Sequence, residues 1–233
     1  SLQVNTTGGY NTAIGDQALL SNTTANYNTA LGYQANYSNT TGTENIAIGA
    51  IASGYANSAL YSNTTGSQNT AIGNGSMVAN TTGNSNTAIG WTALKSNTTA
   101  SNNTAVGYQA LYSNAASNNT AVGYQAGFGN TGGAPNTYLG YQAGKSNSVG
   151  TYNTAIGWTA LKSNTTASNN TAVGYQAGYS NTTGQYNTYI GYQAGYTPND
   201  SVLSTYIGYQ AGYSVNANTA TRNTFIGSYA GYG

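Results

Sequence analysis

Asn11-Thr12-Ala13-Ile14-Gly15 decides how this chain is read, because near copies of it return almost to the last residue. The block glycines are Gly15, Gly32, Gly49, Gly73, Gly90, Gly107, Gly123, Gly140, Gly157, Gly174, Gly191, Gly208 and Gly227. Nine of the twelve gaps between them are 17 residues; the others are 24, 16 and 19. A period this short cannot enclose a domain of its own, so each copy is one turn of a stacked architecture. With the block asparagine as position one, the repeat runs N-T-A-I-G-Y-Q-A-L/G-Y-S-N-T-T-G-S-N.

Each phase of the repeat carries its own chemistry. Position four is always Ile, Leu or Val, from Ile14 to Ile226, and predicts a strand with an internal aliphatic column. Position five is always glycine, which marks a bend or a close backbone approach. Position eight is nearly always alanine, as at Ala18, Ala110 and Ala211, and suggests a tight interior corner. Positions eleven to fifteen, Ser-Asn-Thr-Thr-Gly, are turn chemistry. Gly, Asn, Thr, Tyr and Ile are poor helix formers, so a helical repeat loses to two short strands joined by turns. The fold expected is all-β: a parallel β-solenoid or β-roll over residues 1–233, with about thirteen stacked 17-residue coils. An insertion near residues 50–56 reads as a loop protruding from one face.

Variation inside the repeat predicts a packing rule. Position three is usually Ala but becomes Tyr138, Tyr189, Tyr206 and Phe225. In the coil before each of these, position nine is Gly127, Gly178, Gly195 or Gly212. Where position nine is Leu19, Leu94, Leu111 or Leu161, the next position three is Ala. A ring thus takes the space of a leucine side chain, with Ala155 after Gly144 as the one departure.

Composition excludes several function classes. Seven charged residues in 233, with net charge +1, give no electrostatic footprint for nucleic acid or an anionic membrane. With no His and no Cys, imidazole catalysis, thiolate chemistry, disulfides and ordinary zinc sites are absent. Asp16, Glu44 and Asp200 are too few for a calcium-binding repeat or the clustered carboxylates of a glycan-cleaving enzyme. The expectation is no catalysis, no cofactor, no metal and no membrane insertion. Few charges and abundant Asn, Thr, Ser and Gly also describe disordered linkers, but disorder imposes no strict period.

Two sets of residues are candidates for contact. The position-six row, Trp91, Tyr108, Tyr124, Tyr141, Trp158, Tyr175, Tyr192 and Tyr209, reads as a stacked ladder or as a glycan-contact stripe. Asn-x-Ser/Thr sequons include Asn22, Asn63, Asn80, Asn97, Asn164 and Asn181, candidate glycosylation sites. The same position-twelve asparagines are the residue type of an amide ladder between coils. Ice binding is a further reading, weakened because each block sets one Thr beside Ala. Residues 86–110 and 153–177 carry the same string and then diverge, so whole coils have been copied. Both ends read as uncapped, which predicts flanking domains or head-to-tail stacking.

The block NTAIG-x-x-A-L-x-S-NTTG resembles repeats of bacterial surface and phage tail-fibre-like proteins. Asn-Thr-Ala-Ile-Gly is also similar to the Ser-Val-Ala-Ile-Gly block of trimeric autotransporter adhesin heads, although this coil is longer. That resemblance implies a trimer of left-handed β-rolls at a cell surface or on a virion. The function expected is an extracellular structural fibre or adhesin shaft. Its partners would be further copies of itself, in a trimer or filament, with surface glycans as the alternative.

Overall fold

The computed structural model describes residues 1–49, 58–198, 200–215 and 221–232; the insertion expected at 50–56 lies outside them. The chain forms a parallel β-solenoid in two compact units, Ser1–Asn118 and Asn119–Gly233. Their border falls at the single 16-residue gap in the repeat. The first unit holds β1 (Thr12–Ile14), β2 (Thr29–Leu31), β3 (Ile46–Ile48), β4 (Thr70–Ile72), β5 (Thr87–Ile89) and β6 (Thr104–Val106). The second holds β7 (Thr120–Val122), β8 (Asn136–Leu139), β9 (Asn153–Ile156), β10 (Thr171–Val173), β11 (Thr188–Ile190), β12 (Thr205–Ile207) and β13 (Thr224–Ile226). Within each unit every strand pairs in parallel with the next, like residue on like: Thr171 on Thr188, Val173 on Ile190. Ile46 interrupts the threonine column, between Thr29 and Thr70.

The pleat corrects the inside-outside assignment of the block. Ala at position three is fully buried, at Ala30, Ala71, Ala88, Ala105, Ala121, Ala155 and Ala172. The aliphatic residue beside it points outward: Ile14, Leu31, Ile89, Leu139, Ile190 and Ile226 are exposed, and the rest of that column is half-buried. A strand alternates faces, so in a three-residue strand the middle residue takes one side and its neighbours the other. The interior of so short a coil has room for a methyl group at that point, and β-branched residues favour the strand whichever way they face. The Ile/Leu/Val column is continuous within each unit but lies on the surface. The interior is built instead from positions three, eight and nine, with Ala110, Leu111, Ala160 and Leu161 all fully buried.

Among the described residues one strand forms per coil, where two were expected. Beyond the glycine bend the backbone enters the left-handed region at three further phases. Gln109, Leu111 and Asn118 close one coil at φ 55, 50 and 66°, and Gln176 and Tyr186 sit at 53 and 59° in another. A left-handed residue interrupts an extended run, and each costs about 1 kcal/mol, so the surroundings must over-determine the turn. Inter-coil backbone bonds do so, such as Leu94 N–H to Ala110 C=O (3.0 Å) and Ser96 N–H to Tyr112 C=O (3.0 Å). Position five is glycine for two reasons. Gly191 has φ +133°, and a Cβ there would stand 2.3 Å from the Gly208 carbonyl oxygen.

The interior confirms and sharpens the packing rule. A Cβ on Gly178 would meet Tyr189 Cδ2 at 2.6 Å and Leu161 Cδ2 at 2.9 Å. Glycine is also required in the ring's own coil: Gly144 against Tyr138, Gly212 against Tyr206 and Gly231 against Phe225. Tyr189 and Tyr206 therefore each lie between two position-nine glycines, one from their own coil and one from the coil before. This removes the apparent exception, because Gly144 serves Tyr138 rather than the Ala155 that follows it.

Candidate functional site

Two asparagine columns bind coil to coil. At position twelve, Asn39, Asn63, Asn80 and Asn97 each donate Nδ2–H to the Oδ1 of the preceding rung at 2.9–3.0 Å. In the second unit Asn147, Asn164 and Asn181 do the same at 2.6–3.1 Å. The second Nδ2 hydrogen goes to a turn carbonyl in the same coil, as from Asn39 to Gly42 at 2.9 Å. At position one, Oδ1 accepts the backbone N–H of the next block, as Asn45 N–H to Asn28 Oδ1 at 2.9 Å. Its Nδ2 reaches the same turn carbonyl from the other side, Asn28 to Gly42 at 2.9 Å. Buried amides need such partners, and here they are supplied by identical residues one coil away.

This placement decides what the sequon asparagines can do. Asn22, Asn63, Asn80, Asn97, Asn164 and Asn181 are all inside, with their amide nitrogens spent on the ladder. A glycan on any of them would replace a rung hydrogen and has no space beside it, so the folded coil is incompatible with glycosylation there.

The aromatic row is on the surface and stacked. Trp91 lies on Tyr108 with centroids 5.0 Å apart and planes at 11°. Tyr124 lies on Tyr141 (5.2 Å, 8°) and Tyr141 on Trp158 (4.0 Å, 11°). Tyr175, Tyr192 and Tyr209 continue at 5.0 and 5.1 Å with planes at 7°. Adjacent strands of ordinary sheets rotate by about 20–25°; such small ring angles belong to a nearly untwisted stack stabilised by side-chain ladders. Within the runs Trp91–Tyr108, Tyr124–Tyr141–Trp158 and Tyr175–Tyr192–Tyr209 each ring covers its neighbour and offers its edge outward, whereas a sugar face needs an open ring face.

Position ten forms a second ladder that the sequence reading passed over. Tyr179, Tyr196, Tyr213 and Tyr232 stack at 5.1–5.2 Å, and Tyr37 stacks on Tyr61 at 5.1 Å. The signal was available, since position ten is aromatic or Lys along most of the repeat. Lys95 Nζ donates to Tyr112 Oη at 3.0 Å, and Lys162 Nζ to Tyr179 Oη at 3.4 Å. Each ammonium also lies over that ring, 5.1 and 5.4 Å from the centroid. Burial raises the Tyr196 phenol above its ordinary value, helped by Tyr179, Tyr213 and Tyr175. Tyr175 belongs to the position-six row, so the two ladders are close enough to sense each other's charge.

The sheet's outward face presents a threonine column beside the aliphatic one. The strand threonine hydroxyls make no hydrogen bond within the chain among the described residues, unlike Thr64 and Thr81, which bond the next coil's carbonyls at 3.1 Å. None of the seven charged residues falls in a strand. Among the described residues no three acidic side chains gather into a metal-sized cluster, and no helix is long and apolar enough to cross a membrane. Compared with known proteins, the chain matches no family model, no curated protein and no solved structure.

Proposed function

We propose that this chain is a non-catalytic structural shaft, part of an extracellular or virion-surface fibre or adhesin, which works as a homo-oligomer. The observation that carries this reading is how the coil spends its polar groups. Both asparagine columns, the glutamine ladder (Gln193 to Gln176 and Gln210 to Gln193, both 2.8 Å) and the threonine turns bond to neighbouring coils. A fold that invests its side chains in copying itself lengthwise suits a spacer better than a pocket. The charge-free strand face supports association: its Ile/Leu/Val column is apolar, and its threonines can exchange hydrogen bonds with those of a second or third copy. Burying each aliphatic side chain is worth roughly 1.5–3 kcal/mol.

Light scattering combined with negative-stain electron microscopy tests the proposal. Trimers or filaments at micromolar concentration are expected, dispersed by Ile156→Asp with no loss of coil structure by circular dichroism. A monodisperse monomer would sink the oligomeric part. Thermal hysteresis from such a monomer would reassign the same face to ice.

A further inference from the structure

The last coils carry two uninterrupted tyrosine ladders side by side, with no lysine between the rungs. In the position-six row Tyr175, Tyr192 and Tyr209 stack at 5.0 and 5.1 Å. In the position-ten row Tyr179, Tyr196, Tyr213 and Tyr232 stack at 5.1, 5.1 and 5.2 Å. Tyr175, Tyr192, Tyr209 and Tyr232 are exposed, and Tyr179, Tyr196 and Tyr213 half-buried, so solvent reaches both rows. We propose that these ladders are a site of oxidative cross-linking, in which neighbouring tyrosines of one chain couple into dityrosine and staple successive coils together.

The chemistry follows from the spacing. A one-electron oxidant of the haem-peroxidase class, turning over hydrogen peroxide, removes one electron and one proton from each of two phenols. The two radicals join through a carbon–carbon bond between ring carbons ortho to the hydroxyls, and both rings then regain aromaticity by tautomerisation. In sum, one hydrogen peroxide and two tyrosines give one dityrosine and two waters. Radicals elsewhere must meet by diffusion, whereas here the backbone already holds the rings at stacking distance, the same proximity that accelerates any intramolecular reaction. Each ring must turn about its Cβ–Cγ bond to bring ortho carbons together, and an outward-facing ring is free to do so. Stacked rings also let a radical pass from rung to rung, so oxidation at an exposed rung reaches a half-buried one.

The molecule carries its own control. Tyr189 and Tyr206 are also neighbours, with centroids 5.6 Å apart, but both are fully buried and tilted at 40°. They have the spacing without access for an oxidant or room to turn.

The test treats the dilute 233-residue chain with horseradish peroxidase and hydrogen peroxide. Dityrosine fluorescence is followed, and cross-linked peptides are mapped by tandem mass spectrometry. Links within one chain are expected at 175–192, 192–209, 179–196, 196–213 and 213–232, with none at 189–206. Of these five stacked pairs four include Tyr192 or Tyr196. The double variant Tyr192→Phe/Tyr196→Phe should therefore cut the yield from this segment roughly fivefold, if the pairs contribute additively. Phe128 already occupies position ten elsewhere, and Trp91 and Trp158 hold position six without a phenol hydroxyl, so the variant keeps the coil. An unchanged yield in the variant, cross-links confined to pairs between chains, or a yield no higher than from free tyrosine at equal concentration would each overturn the proposal.

Discussion

Residues 86–110 and 153–177 are the same string in different surroundings, and the first residue at which they part is Leu111 against Gly178. That residue is position nine, the interior site. In the first copy the leucine fills its coil, and position three of the next block is Ala121. In the second copy the glycine makes way for Tyr189, which is fully buried against it. The lysine–tyrosine contacts and the asparagine rungs are repeated in both. One backbone thus accepts two fillings, a leucine held within a coil or a ring wedged between two glycines, and the filling is chosen by pairs of residues in neighbouring coils.

Mixing the two fillings should have the largest effect. Gly178→Leu places a side chain where Tyr189 and Leu161 already stand, and overpacking of this kind costs about 3 kcal/mol, read as a fall in the thermal midpoint. Adding Tyr189→Ala removes the ring that the introduced leucine would strike, keeps Gly195 free for Tyr206 and should recover most of the loss. If the double variant is no more stable than the single one, the two-filling account fails.

Alkali should separate the two regions next. Burial holds the Tyr138 and Tyr189 phenols well above their ordinary value of 10.0; at Tyr189 nearby Tyr206 adds to the rise, Ser201 offsets part of it and Asp200 adds a little. Folding therefore keeps protons that the unfolded chain releases once pH exceeds about 10. Their stabilising contribution is intact below that pH and falls by about 1.4 kcal/mol per tyrosine for each further pH unit. Hydrogen exchange on the whole chain should show Asn119–Gly233 opening at lower pH than Ser1–Asn118, whose interior leucines and Met77 do not ionise in this range.

A variant common to both regions calibrates these effects. Asn147→Ala leaves the Asn130 oxygen and the Gly150 carbonyl each short of a donor, at a cost of about 2 kcal/mol, and Asn80→Ala should cost the same in the leucine-filled coils. The smallest change has the opposite sign. The Tyr206 hydroxyl is buried with no hydrogen-bond partner, and Phe225 fills the equivalent place without one. Tyr206→Phe should leave the thermal midpoint unchanged or raise it, by up to about 1 kcal/mol in stability.

The fold class was legible in the sequence because period, glycine column and turn residues all act through the backbone. The Tyr–Gly exchange was legible as well, since volume compensation leaves a correlated trace at positions three and nine. Facing was not: Ile at position four reports a liking for strand geometry, and a three-residue strand is too short for its alternation to show which side is inside. The second expected strand failed for a related reason. Gln, Leu and Asn carry no glycine-like mark of the left-handed backbone they adopt at positions seven, nine and seventeen, where inter-coil bonds impose it. At the surface, aromatic residues at position six announced a row, but only the ring planes told a closed stack from an open platform.

The asparagine rungs meet at 3.0 Å between Asn39 and Asn63, although 24 residues separate them rather than 17. The amide thread is therefore indifferent to how much chain lies between its rungs. A foreign peptide spliced into the sequence between Gly49 and Ser58 would lengthen an interval the thread already tolerates, so the Asn39–Asn63 rung should close as before.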